Sequence, residues 1–150
     1  MQDKERFEWL KNWLKNYLYS RDSLEKKILK ISDTESGLEV FYAGGKKCTF
    51  LIEPEPSQIQ RLQDSDITAL FFNTEANLKA VIQAWQSLKD IPRLKLIFIN
   101  PNAEDIKWSV APHLHTLISD EKSLAKGLRS MFDTVGKISE EEINNLVKNN

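Results

Sequence analysis

The chain has 150 residues, 41% of them hydrophobic and 29% charged, with a formal net charge of −1. That length suits one domain, residues 1–150, able to bury a core without a metal or disulfide staple, and the composition excludes extended disorder. The near-zero charge provides no global pull toward nucleic acid or anionic membrane, and a single cysteine, Cys48, excludes an intrachain disulfide and a cysteine-rich zinc cluster.

The amino terminus, MQDKERFEWLKNW, is charged and lacks the apolar core of a signal peptide. No run approaches the ~18–20 apolar residues needed to span a bilayer. The expected setting is therefore the reducing cytoplasm. Charge is uneven along the chain: residues 1–30 carry eight Lys or Arg against five acids, and residues 31–66 carry three against seven.

The first predicted element is a helix from Asp3 to Ser20, with Phe7, Leu10, Leu14, Tyr17 and Leu18 on one face. Trp9 and Trp13 widen that stripe to about half the circumference at ~100° per residue. A helix on a single layer needs less, so this one is either wedged between layers or meets a partner with its Trp edge. Three short strands follow, Lys27–Ser32, Gly37–Ala43 and Lys47–Ile52, and the Gly44-Gly45 pair between the last two signals a hairpin. They predict an antiparallel meander, ended by Glu53-Pro54-Glu55-Pro56 because Pro cannot donate to a ladder.

From Ser57 the pattern becomes α/β. Ser57–Leu62 suggests a short helix, and Ile67–Phe72 and Leu94–Ile99 are nearly continuous apolar runs, as strands buried on both faces are. Between them Thr74 caps a helix to Lys89 with Leu78, Val81, Ile82, Trp85 and Leu88 as its stripe, giving a parallel crossover. Residues 102–112 hold a turn or short strand around Trp108, and His113–Ile118 (HLHTLI) reads as another strand. Asp120 caps a helix to Val135 with Leu124, Leu128, Met131 and Phe132 facing inward, and Gly136 ends it. Gly127 inside that helix implies close packing. Ser139 and Glu142 form a capping box for a last helix through Val147. The whole predicts a mixed α/β fold: one sheet of five or six strands, a three-strand antiparallel meander joined to a parallel βαβ unit, with helices on both faces.

In an open parallel sheet ligands bind beyond the carboxyl ends of the strands. There the chain carries Asn73-Thr74, Asn100-Pro101-Asn102 and Ser119-Asp120. With His113 and His115 they define a candidate polar site: Asn73, Asn100, Asn102, His113, His115 and Asp120. The same residue types are also ordinary caps and turns. On a strand the two histidines would share a face and could share a metal, but no third ligand stands at diagnostic spacing. Glycine-rich phosphate loops and a GxSxG nucleophile turn are absent, and Cys48 inside a strand is expected to be a buried, inert thiol. No cofactor is implied.

The order helix, three strands, helix, strand resembles the core of restriction-endonuclease-like nucleases over the first half of the chain. That resemblance implies an acid on the second strand, where Glu39 stands, and an acid-x-Lys triplet on the third. The third strand, KKCTFLIEPEP, offers Glu53 and Glu55 without the lysine.

Two functional readings follow. The first is a small non-enzymatic protein-interaction domain, adaptor or regulatory, binding a protein partner or a second copy through Trp9, Trp13 and Tyr17, since aromatic residues anchor interfaces. The second is a ligand-binding or enzymatic α/β domain with its polar site at the strand ends, the degenerate nuclease included. The amino-terminal lysines and aromatics could line a nucleic-acid surface, but the acids mixed among them fit a solvated helix face better.

Overall fold

Side chains alternate between the two faces of a strand, so a strand that is apolar throughout needs cover on both sides. Asp66–Phe72 and Leu94–Ile99 are such strands, and the computed structural model of the chain places them at the centre of a sheet with helices on either face. It describes residues 2–60, 65–118 and 120–149, with backbone alone at positions 2 and 3.

The elements are α1 (Gln2–Arg21), β1 (Ile28–Asp33), β2 (Gly37–Tyr42), β3 (Lys47–Ile52), β4 (Asp66–Phe72), α2 (Glu75–Gln83), α3 (Trp85–Leu88), β5 (Leu94–Ile99), β6 (Lys107–Val110), α4 (Pro112–Ile118), α5 (Leu124–Val135) and α6 (Glu140–Lys148). Short 3-10 turns stand at Pro56–Gln58 and Glu121–Ser123. Among the described residues the six strands make one sheet in sequence order. β1, β2 and β3 are antiparallel, β3, β4 and β5 parallel, and β6 returns antiparallel to β5. The predicted mixed sheet with helices on both faces is thus the observed one.

On one face α2, α3 and α5 cover Ile67, Ala69, Phe71, Leu96 and Phe98. Phe98 stacks between Phe71 and Trp108, with ring centroids 5.1 and 4.5 Å away. Each such side chain buried is worth about 1.5–3 kcal/mol, and each ring pair adds about 1 kcal/mol. On the other face α1 and α6 cover Leu38, Val40, Phe50, Leu70, Phe72 and Ile99. Glu53, just past β3 at φ 40°, links that layer to the sheet: its carboxylate accepts from Arg6 of α1, from Phe72 N at 3.2 Å and from Asn77 Nδ2 at 2.7 Å.

The β2–β3 hairpin turns on Gly44 and Gly45, both at positive φ as their pairing predicts. Gly37 is required for another reason: a Cβ there would stand 2.1 Å from the Phe50 carbonyl oxygen.

Six local expectations are corrected. His113–Ile118 is the helix α4 and not a strand: Pro112 at its first position is pre-set for a helix, and Leu114, Leu117 and Ile118 recur at helical spacing. The helix expected from Thr74 to Lys89 keeps its Thr74 cap but breaks at Ala84, whose φ of −95° and ψ of 5° leave the helical region. Met131 is half exposed, on the outer flank of α5, and a Cβ at Gly127 would meet open space, so close packing does not explain that glycine. The helix expected at Ser57–Leu62 is a single 3-10 turn, its end lying outside the described residues. Asp120 caps the 3-10 turn at Glu121–Ser123 and α5 starts after it.

Candidate functional site

The carboxyl ends of the parallel strands are occupied by the protein itself. Asn73, fully buried, donates from Nδ2 to the carbonyls of Phe132 (3.2 Å) and Gly136 (3.0 Å), and its Oδ1 accepts from Trp108 Nε1 at 2.7 Å. Asn100 donates to the same Gly136 carbonyl at 2.9 Å, while its Oδ1 accepts from Asn102 N at 3.0 Å. Ile138 N completes the contact by donating to Asn73 O. The segment leaving α5 is thereby bound across the ends of β4 and β5. Asn102 reaches Glu142 of α6 at 3.4 Å, so all three asparagines serve the same corner.

The remaining polar candidates lie apart from them. His113 Nδ1 stands 3.0 Å from the Lys89 carbonyl, and His115 meets the Trp85 ring edge-on with centroids 5.7 Å apart. Two positions apart on a helix they point in nearly opposite directions, unlike the shared face a strand would give. Asp120 accepts from Lys122 N at 3.1 Å; its neighbour Ser119 lies outside the described residues. Among the described residues no three His, Cys, Asp or Glu side chains are grouped to hold a metal ion. Cys48 is buried beside the Thr68 hydroxyl, and desolvation pushes its thiol up to about 11, as an inert thiol requires. Glu39 pairs with Lys47 at 3.2 Å and sits opposite Thr49, so Glu53 is roughly 13 Å further along at ~3.3 Å per residue. Glu55 is exposed.

The aromatic edge of α1 borders a different feature. Trp9, Trp13 and Tyr17 are each half-buried; Trp9 lies 5.6 Å from Phe72, and Trp13 stacks on Tyr17 at 5.1 Å. Trp13 and Tyr17 form one wall of a groove of about 490 Å³, with Met131, Thr134 and Val135 of α5 as the other. Since α1 and α5 lie on opposite faces of the sheet, the groove straddles the β6 edge, and residues 104–108 form its floor. Asn100 N donates to Ile106 O, so the ladder alternation turns the N–H and C=O of Lys107 and Ser109 outward, away from β5. Lys107 Nζ lies over the Tyr17 ring at 5.7 Å.

The two sheet edges differ. β1 carries a register shift between Ile28 and Lys30 and the charged Lys30, with Lys27 just before it, devices that discourage strand addition. β6 is regular and flanked by apolar surface, with Ile106 43% and Met131 46% exposed. The outer stripe of α4, Leu114, Leu117 and Ile118, is a second exposed apolar face. Sequence reasoning found Trp13 and Tyr17 through the excess width of their stripe. It missed Ile106 and Met131, because nothing local shows which strand ends the sheet.

No family model matches the chain, and no curated protein or solved structure matches it either. Among the described residues no helix is long and apolar enough to cross a membrane.

Proposed function

We propose that the chain is a non-enzymatic protein-interaction domain, adaptor or regulatory in role, whose partner adds an extended strand to β6. The observation that carries this reading is the regular β6 edge, with its backbone groups at Lys107 and Ser109 turned outward between the Trp13/Tyr17 and Met131/Val135 walls. Strand addition draws affinity from main-chain hydrogen bonds and specificity from flanking pockets, and this edge offers both. Glu104 and Asp105, at one end of the groove, have no cationic partner among the described residues, which favours a basic residue in the incoming segment. The exposed stripe on α4 supports the same class of function. The single free cysteine suits a cytoplasmic setting.

Selection of peptides from a random display library, followed by amide exchange, tests the reading. Selected peptides are expected to carry alternating apolar residues and a basic end, and to slow exchange at Lys107 and Ser109. Ser109→Pro removes an outward N–H while sparing the β5 ladder, so it should keep the fold and lose binding, as should Trp13→Ala. Peptides that bind Ser109→Pro unchanged would sink the proposal. Light scattering that finds a dimer dissolved by Ser109→Pro would give the edge to a second copy and overturn the foreign segment.

A further inference from the structure

At the opposite end of the sheet, where the parallel strands begin, lies a cleft of about 720 Å³. Its origin is in the path of the chain. α1 stops at Arg21, and Asp22 turns the backbone away by accepting from Lys27 N and Ile28 N, both at 2.8 Å. At the strand starts on that face, Cys48 and Thr68 are buried in the lining, while Asp66 is half-buried and Lys95 exposed. The apolar lining is made by Leu18, Ile28, Phe50 and Ile97.

The lining holds five cations, Arg21, Lys27, Lys46, Arg93 and Lys95, against the three carboxylates of Asp22, Glu25 and Asp66. Those carboxylates are committed. Asp66 pairs with Lys46 at 3.6 Å and Arg93 at 3.3 Å, Glu25 pairs with Lys27 at 3.4 Å, and Asp22 faces backbone N–H groups. Arg21 and Lys95 are in excess. Arg21 is held against Tyr17, with Nη1 3.1 Å from the phenol oxygen and the guanidinium 5.5 Å from the ring centroid. Lys95 stands exposed on the strand face one pleat from Ile97, without a carboxylate partner among the described residues.

We infer that this cleft binds a small organic anion with an apolar body, an aliphatic or aromatic carboxylate, its head at Lys95 and Arg21 and its body over Phe50 and Ile97. The volume falls in the range of small-molecule sites, roughly 300–1,000 Å³. Unbalanced positive charge over an apolar floor favours such an amphipathic anion over a neutral molecule and repels a cation. The cleft shares Tyr17 with the β6 groove, but its cations and apolar floor are its own.

The test uses the intact chain and anilinonaphthalene sulfonate as reporter, with decanoate, decanol and decyltrimethylammonium as competitors. Saturable dye binding is expected, with displacement by decanoate and little by the other two. Lys95→Gln and Arg21→Gln alter exposed residues, so circular dichroism should show them folded, and each should weaken decanoate binding about tenfold. Lys137→Gln, outside the cleft lining, should leave it unchanged. Absence of decanoate binding, displacement by decyltrimethylammonium as strong as by decanoate, or a folded double Lys95→Gln, Arg21→Gln variant that binds decanoate normally would each overturn the assignment.

Discussion

Asn73 shows how one side chain can hold a corner of the molecule. Its amide satisfies two carbonyls at the end of α5 and the indole N–H of Trp108, all inside the core. Asn73→Ala removes three hydrogen bonds and leaves the Trp108 indole N–H buried without a partner, at about 1–3 kcal/mol, while the Gly136 and Phe132 carbonyls keep Asn100 Nδ2 and Gly136 N. We expect a loss of about 3 kcal/mol, read as a lower urea midpoint at unchanged slope. The chain alone showed Asn73 and Asn100 as polar residues after apolar strands. Their common partner, Gly136, is 63 residues from Asn73 and 36 from Asn100, so no local pattern could reveal it.

At the scale of elements, α4 and α5 teach opposite lessons. HLHTLI reads locally as a strand, yet Pro112 and the outward stripe of Leu114, Leu117 and Ile118 belong to a helix. Short segments of this kind satisfy both periods, and β6 had already returned along β5 to end the sheet. In α5, Gly127 has no neighbour that would resist a methyl group. Gly127→Ala should therefore stabilise the protein by about 0.5–1 kcal/mol through the lower entropy of the unfolded chain and better helix propensity, seen as a raised Tm. A lower Tm would mean that something besides the described neighbours needs the glycine. The capping box at Ser139 and Glu142 was legible outright, because both partners lie within one turn.

At the scale of the whole molecule, folding favours the ionised form of carboxylates on both faces of the sheet. Asp33 of β1 is held below its usual range chiefly by Lys15 of α1, and Glu75 of α2 by Arg129 of α5. Glu142 of α6 is held low mainly by the Ser139 backbone N–H. A carboxyl whose folded pKa is depressed binds fewer protons folded than unfolded, so its contribution is present above the unfolded value and lost as pH falls through the folded one. Stability should fall below about pH 4.5, with the urea midpoint lower at pH 3 than at pH 7. Arg129→Gln should narrow that difference, since it removes the main cause of the depressed Glu75 carboxyl.

By itself the sequence determined most of the elements and the two-faced burial of the central strands, because periodicity, caps and turn glycines act over a few residues. The amphipathic excess of α1 was also visible, through the spacing of Trp9, Trp13 and Tyr17. Only the tertiary structure decided which strand became the open edge, which end of the sheet was bound over by residues 136–138, and which cations were left unpaired around the cleft. Those outcomes depend on contacts between distant segments, and a one-dimensional pattern carries no record of which distant groups satisfy one another.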